Sequence, residues 1–220
     1  MGALRGSISI RRYYVVDKLP SDARKKLVKG VRAHAFTPIE PRSDVERSVG
    51  WASIFDSDQT ELDAADMLFV AGGGEQLRLS MRVDVLKPNA AEVRRQLETK
   101  LRSVDAAQGR KPTKRERREM KEELSRQLRL RTLPRVRTFD VVWNLDTRRL
   151  YLWSQTKGVN ELFVELFLRS FALRLEVEGP SMWARKATDR KTLDALTPTT
   201  ELWSGFAGVR PLTGAITEDA

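Results

Sequence analysis

Two short apolar runs joined by glycines constrain the fold of this chain most strongly. Met67–Ala71 and Gln76–Leu86 are strand-like, and Gly72-Gly73-Gly74-Glu75 separates them. A glycine-rich tight turn between two strand patterns is typical of a β-hairpin, so the runs are predicted to pair antiparallel. Along the second run polar residues alternate with apolar ones, which predicts one solvated and partly basic face. These polar residues are Arg78, Ser80, Arg82 and Asp84.

A second hairpin is predicted near residue 147. Val136–Leu145, which contains Trp143, and Leu150–Ser154 alternate in the same way, and the polar turn 146–149 joins them. Ser7–Val16 and Leu173–Val177 have further strand patterns. Frequent hairpins favour an antiparallel sheet over a parallel one.

Helical patterns lie between these strands. One helix follows Pro20, with Ser21 or Asp22 as its N-cap. Its apolar residues recur at helical spacing and are Ala23, Leu27, Val31 and Ala35. Another begins near Gly158, and its predicted buried face comprises Leu162, Phe163, Leu166, Phe167, Ser170 and Phe171. The sequence therefore predicts an α+β fold with antiparallel sheets and packed helices.

Residues 87–133 contain two consecutive helical patterns and no strand. The first begins at Pro88-Asn89, and the segment 108–112 breaks it. The second has a capping box formed by Thr113 and Glu116. Its apolar stripe is Met120, Leu124 and Leu128, while that of the first is Val93, Leu97, Leu101 and Val104. We predict an αα-hairpin that projects from the sheet.

These patterns divide the chain into four regions. Residues 1–86 form an N-terminal α+β sheet region, 87–133 the helical hairpin, and 134–180 a second region of sheet and helix. Residues 181–220 lack a regular pattern and are predicted to be an irregular segment and a candidate dimer interface.

Positive charge is concentrated in residues 109–137. This segment holds twelve Lys or Arg and four Glu, a surplus of eight, while the whole chain carries +10. Part of that charge is predicted to form helical ion pairs, namely Arg115/Glu119, Arg118/Glu122 and Glu122/Arg126. The remaining surplus repels itself unless a polyanion relieves it. The predicted DNA-binding residues are Lys111, Lys114, Arg115, Arg117, Arg118, Lys121, Arg126, Arg129, Arg131, Arg135 and Arg137.

The type of binding follows from the residues around these cations. The segment has no helix-turn-helix pattern, zinc-finger spacing or interleaved aromatic residues. Lysine and arginine alone suit phosphate contacts, so we predict salt-sensitive binding to double-stranded DNA without sequence preference. An RNA-binding or ribosome-associated factor would have the same charge balance and stays open as an alternative.

The order of several short motifs resembles the RdgC family of recombination-associated proteins. The motifs are Ala35-Phe36-Thr37-Pro38, Gly50-Trp51, Leu68-Phe69-Val70-Ala71, Lys121-Glu122-Glu123, Leu133-Pro134-Arg135 and Leu150-Tyr151-Leu152-Trp153. They cover residues 8–178. The resemblance implies a bacterial nucleoid protein that binds DNA without sequence preference, and a homodimeric ring that encircles the duplex and counteracts recombinase filaments. Two departures are a poor match after Pro180 and Arg137 in place of an aromatic residue near the contact between subunits.

Catalytic chemistry is the main alternative, since RdgC proteins have also been described as exonucleases. Glu98-Thr99-Lys100, with Asp84 upstream, could suggest a Mg²⁺-dependent nuclease, but the triplet falls in a helical pattern rather than on a strand. The glycine turn lacks the lysine of a phosphate-binding loop. His34 is the single histidine and is predicted to be structural. The acidic run 56–66 lacks calcium-loop spacing and is predicted to be a solvated loop or a partner for a basic surface. We therefore expect no catalytic residue, metal or cofactor.

The cellular compartment is predicted from what the chain lacks. It has no cysteine, signal-peptide pattern or apolar run long enough for a membrane span. We expect a cytoplasmic protein that does not contact membranes.

Overall fold

The computed structural model describes residues 9–20, 22–71 and 74–188, together with Ala3 and Thr192. Two compact units divide the chain, Met1–Glu178 and Gly179–Ala220. In the second unit, helix α6 (Pro180–Ala187) has a proline in its first turn, where the missing N–H costs nothing. A helix thus begins the region for which an irregular segment was predicted, and residues 189–191 and 193–220 lie outside the described residues.

In the described part of the first unit, seven strands form one antiparallel sheet. They are β1 (Arg11–Val15), β2 (Arg47–Ala52), β3 (Leu68–Ala71), β4 (Gly74–Val85), β5 (Arg135–Asn144), β6 (Arg149–Leu152) and β7 (Leu175–Val177). Their order is β2-β4-β5-β6-β1-β7, and β3 also pairs with β4. The predicted α+β class is therefore confirmed, and regions 1–86 and 134–180 contribute strands to the same sheet.

Both predicted hairpins are present. Ala71 pairs with Gly74 in the first, and Trp143 with Leu150 in the second. Arg148 closes the second turn with a φ of 58°, in the left-handed region that non-glycine residues rarely adopt. Strand β1 (Arg11–Val15) is shorter than the predicted strand Ser7–Val16. Ser7, Ile8, Gly72 and Gly73 lie outside the described residues.

Two helices cover one face of the sheet and form the core. They are α1 (Ala23–Ala33) and α5 (Lys157–Phe171). The side chains of Trp51, Trp143, Phe163 and Phe167 are almost fully buried between helices and strands. Gly30 lets α1 approach α5 closely, because a Cβ at this position would lie 2.2 Å from the Ser170 carbonyl oxygen. Asp22 occupies the N-cap of α1, but its side chain makes no capping hydrogen bond, and Ser21 lies outside the described residues.

The polar face of β4 is not solvated, so that prediction is wrong. Ser80 is 3% exposed and Asp84 is 2% exposed. Ser80 donates a 2.7 Å hydrogen bond to Asp140 on β5, and Arg82 binds Asp84 through both Nε and Nη2 at 2.9 and 3.0 Å. Arg82 also donates to the carbonyl of Ser57. Because these polar groups bind one another, their hydrogen bonds offset part of the desolvation cost of burial.

Two consecutive helices connect β4 to β5 along the chain. Helix α3 (Ala90–Gln108) is capped by the Asn89 side chain and ends at Gly109, which has a left-handed φ of 64°. Helix α4 (Lys114–Arg129) packs against it, with Val93, Leu97 and Leu124 buried. The predicted helical hairpin is thus present, while its projection from the sheet stays a prediction. None of the helices in the described residues is both long and apolar enough to cross a membrane.

The acidic run contains a helix where a loop was predicted. Helix α2 (Ala64–Met67) begins with a capping box in which Asp63 and Asp66 bind each other's backbone N–H groups. Capping both ends of this first turn satisfies amide donors that a loop would leave to water. Asp63 also pairs with Arg32, and Asp58 with Arg82. Most of the run therefore serves structure.

Candidate nucleic-acid interface

Helix α4 begins with the predicted capping box. The Thr113 hydroxyl accepts from the Glu116 N–H at 3.3 Å, and the Glu116 carboxylate accepts from the Thr113 N–H at 2.8 Å. Arg110 binds the same carboxylate through two nitrogens, at 3.0 and 2.7 Å. The hydrogen bonds from Arg110 and Thr113 lower the pKa of Glu116 to about 2. The start of the basic helix is therefore fixed by a charged cap.

This cap predicts a loss of hairpin stability in acid. Since the pKa of Glu116 falls from 4.5 in the unfolded chain to about 2 in the folded one, its contribution is complete above pH 4.5. That contribution is lost as the pH falls from 4.5 towards 2. Circular dichroism melts across this window should show a smaller pH dependence for Glu116→Gln than for the unmodified chain. Identical pH profiles would contradict the role of the cap.

Three of the predicted arginines are paired with glutamates on the same helix. Arg115 lies 2.8 Å from Glu119 and Arg118 lies 2.8 Å from Glu122, as predicted. Arg126 pairs with Glu123 at 3.6 Å rather than with Glu122. These exposed pairs contribute little stability, but each places a carboxylate beside the cation that a phosphate would approach. They are weaker candidates for phosphate contacts.

Arg129 has a structural contact that the sequence did not predict. Its guanidinium donates to the carbonyl oxygens of Pro41, at 3.3 Å, and of Val45. Both carbonyls belong to the segment before β2. The contact therefore fastens the end of α4 to the sheet region, and it uses donors that a phosphate would need.

The other predicted cations lack an anionic partner. No carboxylate of the described residues lies within 4.0 Å of them, and each is exposed. They are Lys111, Lys114, Arg117, Lys121, Arg131, Arg135 and Arg137. Arg137 alone has a ring contact, with its guanidinium carbon 5.6 Å from the centre of Phe139. These seven side chains can neutralise an incoming polyanion without first breaking an ion pair.

Several cations converge on a groove between α3 and α4. The groove has a volume of about 670 Å³, and Val93 and Leu97 are among its apolar lining residues. Its basic lining residues are Lys114, Arg117, Arg118 and Lys121 from α4, with Lys87 and Arg94 from the α3 side. Glu46 is the one acidic residue among the lining residues that the structure describes. Lys87, Arg94 and Arg118 are paired with Glu46, Glu98 and Glu122. The other three cations leave the groove with a positive surplus, which attracts anions.

A second basic row lies on the sheet. Arg135 and Arg47 are both register partners of Val85, so the three residues lie side by side on one face. Arg137 is two residues further along β5 and therefore on that same face. Lys87, Arg94 and Arg47 were missed by the sequence analysis because the charge was counted along one segment. Lys87 precedes α3 and Arg94 lies on it, so no helical spacing links the two residues in the sequence.

The residues considered for catalysis make contacts within the fold. Glu98 lies on α3 and pairs with Arg94 at 3.5 Å, while the Asp84 carboxylate binds Arg82. His34 follows α1 and contacts the Gly30 carbonyl at 3.2 Å through Nδ1. Within the described ranges, no group of three His, Asp or Glu residues is placed to hold a metal ion.

Comparison with known proteins gives one family. A family model described as "Putative exonuclease, RdgC" matches residues 10–188. The matched range includes the whole sheet, the helical hairpin and the groove. Among curated proteins, none matches the chain.

Proposed function

We propose that this chain, which belongs to the RdgC family and so to a group linked to DNA recombination, binds double-stranded DNA through the groove between α3 and α4. The binding makes no distinction between sequences. The observation that carries the proposal is the set of exposed cations in the groove that have no carboxylate partner, Lys114, Arg117 and Lys121.

The groove suits a duplex backbone better than separated bases. Among the described residues that line it, none has an aromatic side chain on which an unpaired base could stack. Lysine and arginine bind phosphate oxygens, and each contact releases condensed counterions from the DNA. Affinity therefore comes from the phosphates, which are the same for every sequence.

We expect the chain to act as a homodimer that coats or encircles DNA in the nucleoid and so hinders recombinase filaments. This part of the proposal rests on the family. Light scattering of the free and DNA-bound protein tests it, and a monomer in both states would contradict encirclement.

A salt titration with duplexes of unrelated sequence tests the proposal. If four or five phosphates are neutralised, log K should fall against log salt with a slope of about −4. Fluorescence anisotropy would measure it, and scrambled duplexes should give the same constants. Structured RNA serves as the competitor, and tighter binding to RNA than to duplex would favour the RNA alternative. An affinity independent of salt would refute the phosphate mechanism.

A nuclease is the second candidate, because the name of the family model describes an exonuclease. We propose binding without catalysis, since Glu98 and Asp84 are engaged in ion pairs with Arg94 and Arg82. Incubation of labelled duplex with the purified protein and Mg²⁺ decides between the two. Cleavage products that disappear in Asp84→Asn would establish the nuclease.

A further inference from the structure

A fully exposed leucine lies among the arginines that follow α4. Leu133 is 88% exposed, the largest fraction among the large hydrophobic residues that the structure describes. It is the fourth residue of the segment between α4 and β5, and Leu130 and Val136, three residues to either side, are 56% and 47% exposed. A side chain of this kind gains free energy whenever a partner removes it from water.

The turn holds Leu133 in a defined position. The N–H groups of Arg131 and Thr132 donate to the carbonyls of Leu128 and Arg129, both at 3.1 Å. The Thr132 hydroxyl donates to the Leu128 carbonyl at 2.8 Å. Pro134 restricts the backbone of Leu133 to extended conformations. The leucine is therefore presented by an ordered turn, and binding would not have to order it first.

The charges on either side of Leu133 indicate what kind of partner could cover it. Arg131 and Arg135 lie two residues before and after Leu133, both are exposed, and neither has a carboxylate within 4.0 Å among the described residues. A partner that covers Leu133 must accept an apolar side chain between two cations. Duplex DNA has this combination, because the apolar faces of its base pairs lie between two phosphate chains.

We propose that Leu133 is a wedge that enters the minor groove between two base pairs and bends the duplex, while Arg131 and Arg135 bind the phosphates on either side. Proteins that insert a leucine in this way unstack one step and bend DNA by about 20–90°. The inference rests on the proposed function, because it requires that the chain binds DNA. It adds a deformation of the duplex that phosphate contacts alone do not produce.

A bending measurement separates this inference from DNA binding itself. Energy transfer between dyes at the two ends of a short duplex should show a bend of at least about 20° with the unmodified protein. Leu133→Ala should reduce the bend angle at least two-fold and leave the salt slope unchanged. Leu133→Phe, which keeps a wedge, should retain the bend. The matched control is Val70→Ala, because Val70 is 84% exposed on β3 and should not affect bending.

The outcomes are distinguishable. Salt-dependent binding with no bend, or an equal bend with Leu133→Ala, would overturn the wedge and leave DNA binding intact. Failure of the unmodified protein to bind duplex would refute the proposed function. Loss of dimers in Leu133→Ala by light scattering, with the bend unchanged, would assign the leucine to a contact between two copies of the chain and would also overturn the wedge.

Discussion

Replacement of Arg117 and Lys121 with alanine is expected to weaken duplex binding roughly 60-fold at 0.1 M salt. It should also reduce the magnitude of the slope of log K against log salt by about 1.8. Both side chains line the groove between α3 and α4, and neither has a carboxylate within 4.0 Å among the described residues. Each therefore accounts for one phosphate contact, which contributes about 0.9 to the slope. Fluorescence anisotropy over a salt series measures both quantities.

Arg115→Ala with Arg126→Ala is the matched control. It removes the same charge from the same helix, but these two arginines are paired with Glu119 and Glu123. The long-range attraction changes equally in both double variants and is screened over about 10 Å at this salt concentration. The control should lose much less affinity, because the contact with phosphate is local. Equal losses would show that binding depends on net charge and not on the groove.

The sequence predicted the elements whose signals are local. Both hairpins carry their turn residues, and the capping box of Thr113 and Glu116 is formed within four residues. The polar face of β4 was assigned wrongly because its burial depends on distant partners. Ser80 binds Asp140, which lies 60 residues later. Alternation shows which residues share a face, and only the tertiary structure shows whether that face meets water.

The candidate site was located by charge and refined by geometry. Counting residues placed the surplus in 109–137, and the RdgC resemblance was confirmed by the family match. Counting charges could not separate paired from unpaired cations. Arg126 pairs with Glu123 instead of Glu122, and Arg129 donates to carbonyls 84 and 88 residues away in the chain. It also omitted Arg47, which the register of β2 and β4 brings to the same face as Arg135. Pairing and register are tertiary properties.

Replacement of Trp143 with alanine is expected to lower the free energy of unfolding by about 3–5 kcal/mol. The side chain is fully buried and contacts Phe167 and Phe171, with ring centres 5.2 and 5.8 Å away. Its removal leaves a cavity at the centre of the sheet, beneath α5. Urea denaturation followed by circular dichroism measures the loss, and a cost below about 1 kcal/mol would contradict the packing described above.

Two single variants, Trp143→Phe and Trp51→Phe, distinguish the contribution of packing to stability from that of a hydrogen bond. Both tryptophans are fully buried, and each has two aromatic neighbours. The Nε1 of Trp51 donates to the Ser170 hydroxyl at 2.7 Å, while that of Trp143 has no acceptor in the described part of the chain. Trp51→Phe should therefore cost about 1–3 kcal/mol more than Trp143→Phe, because it deprives Ser170 of its partner and Trp143 has no bond to lose. If the two variants lose equal stability, the bond between Trp51 and Ser170 does not help to hold β2 against α5.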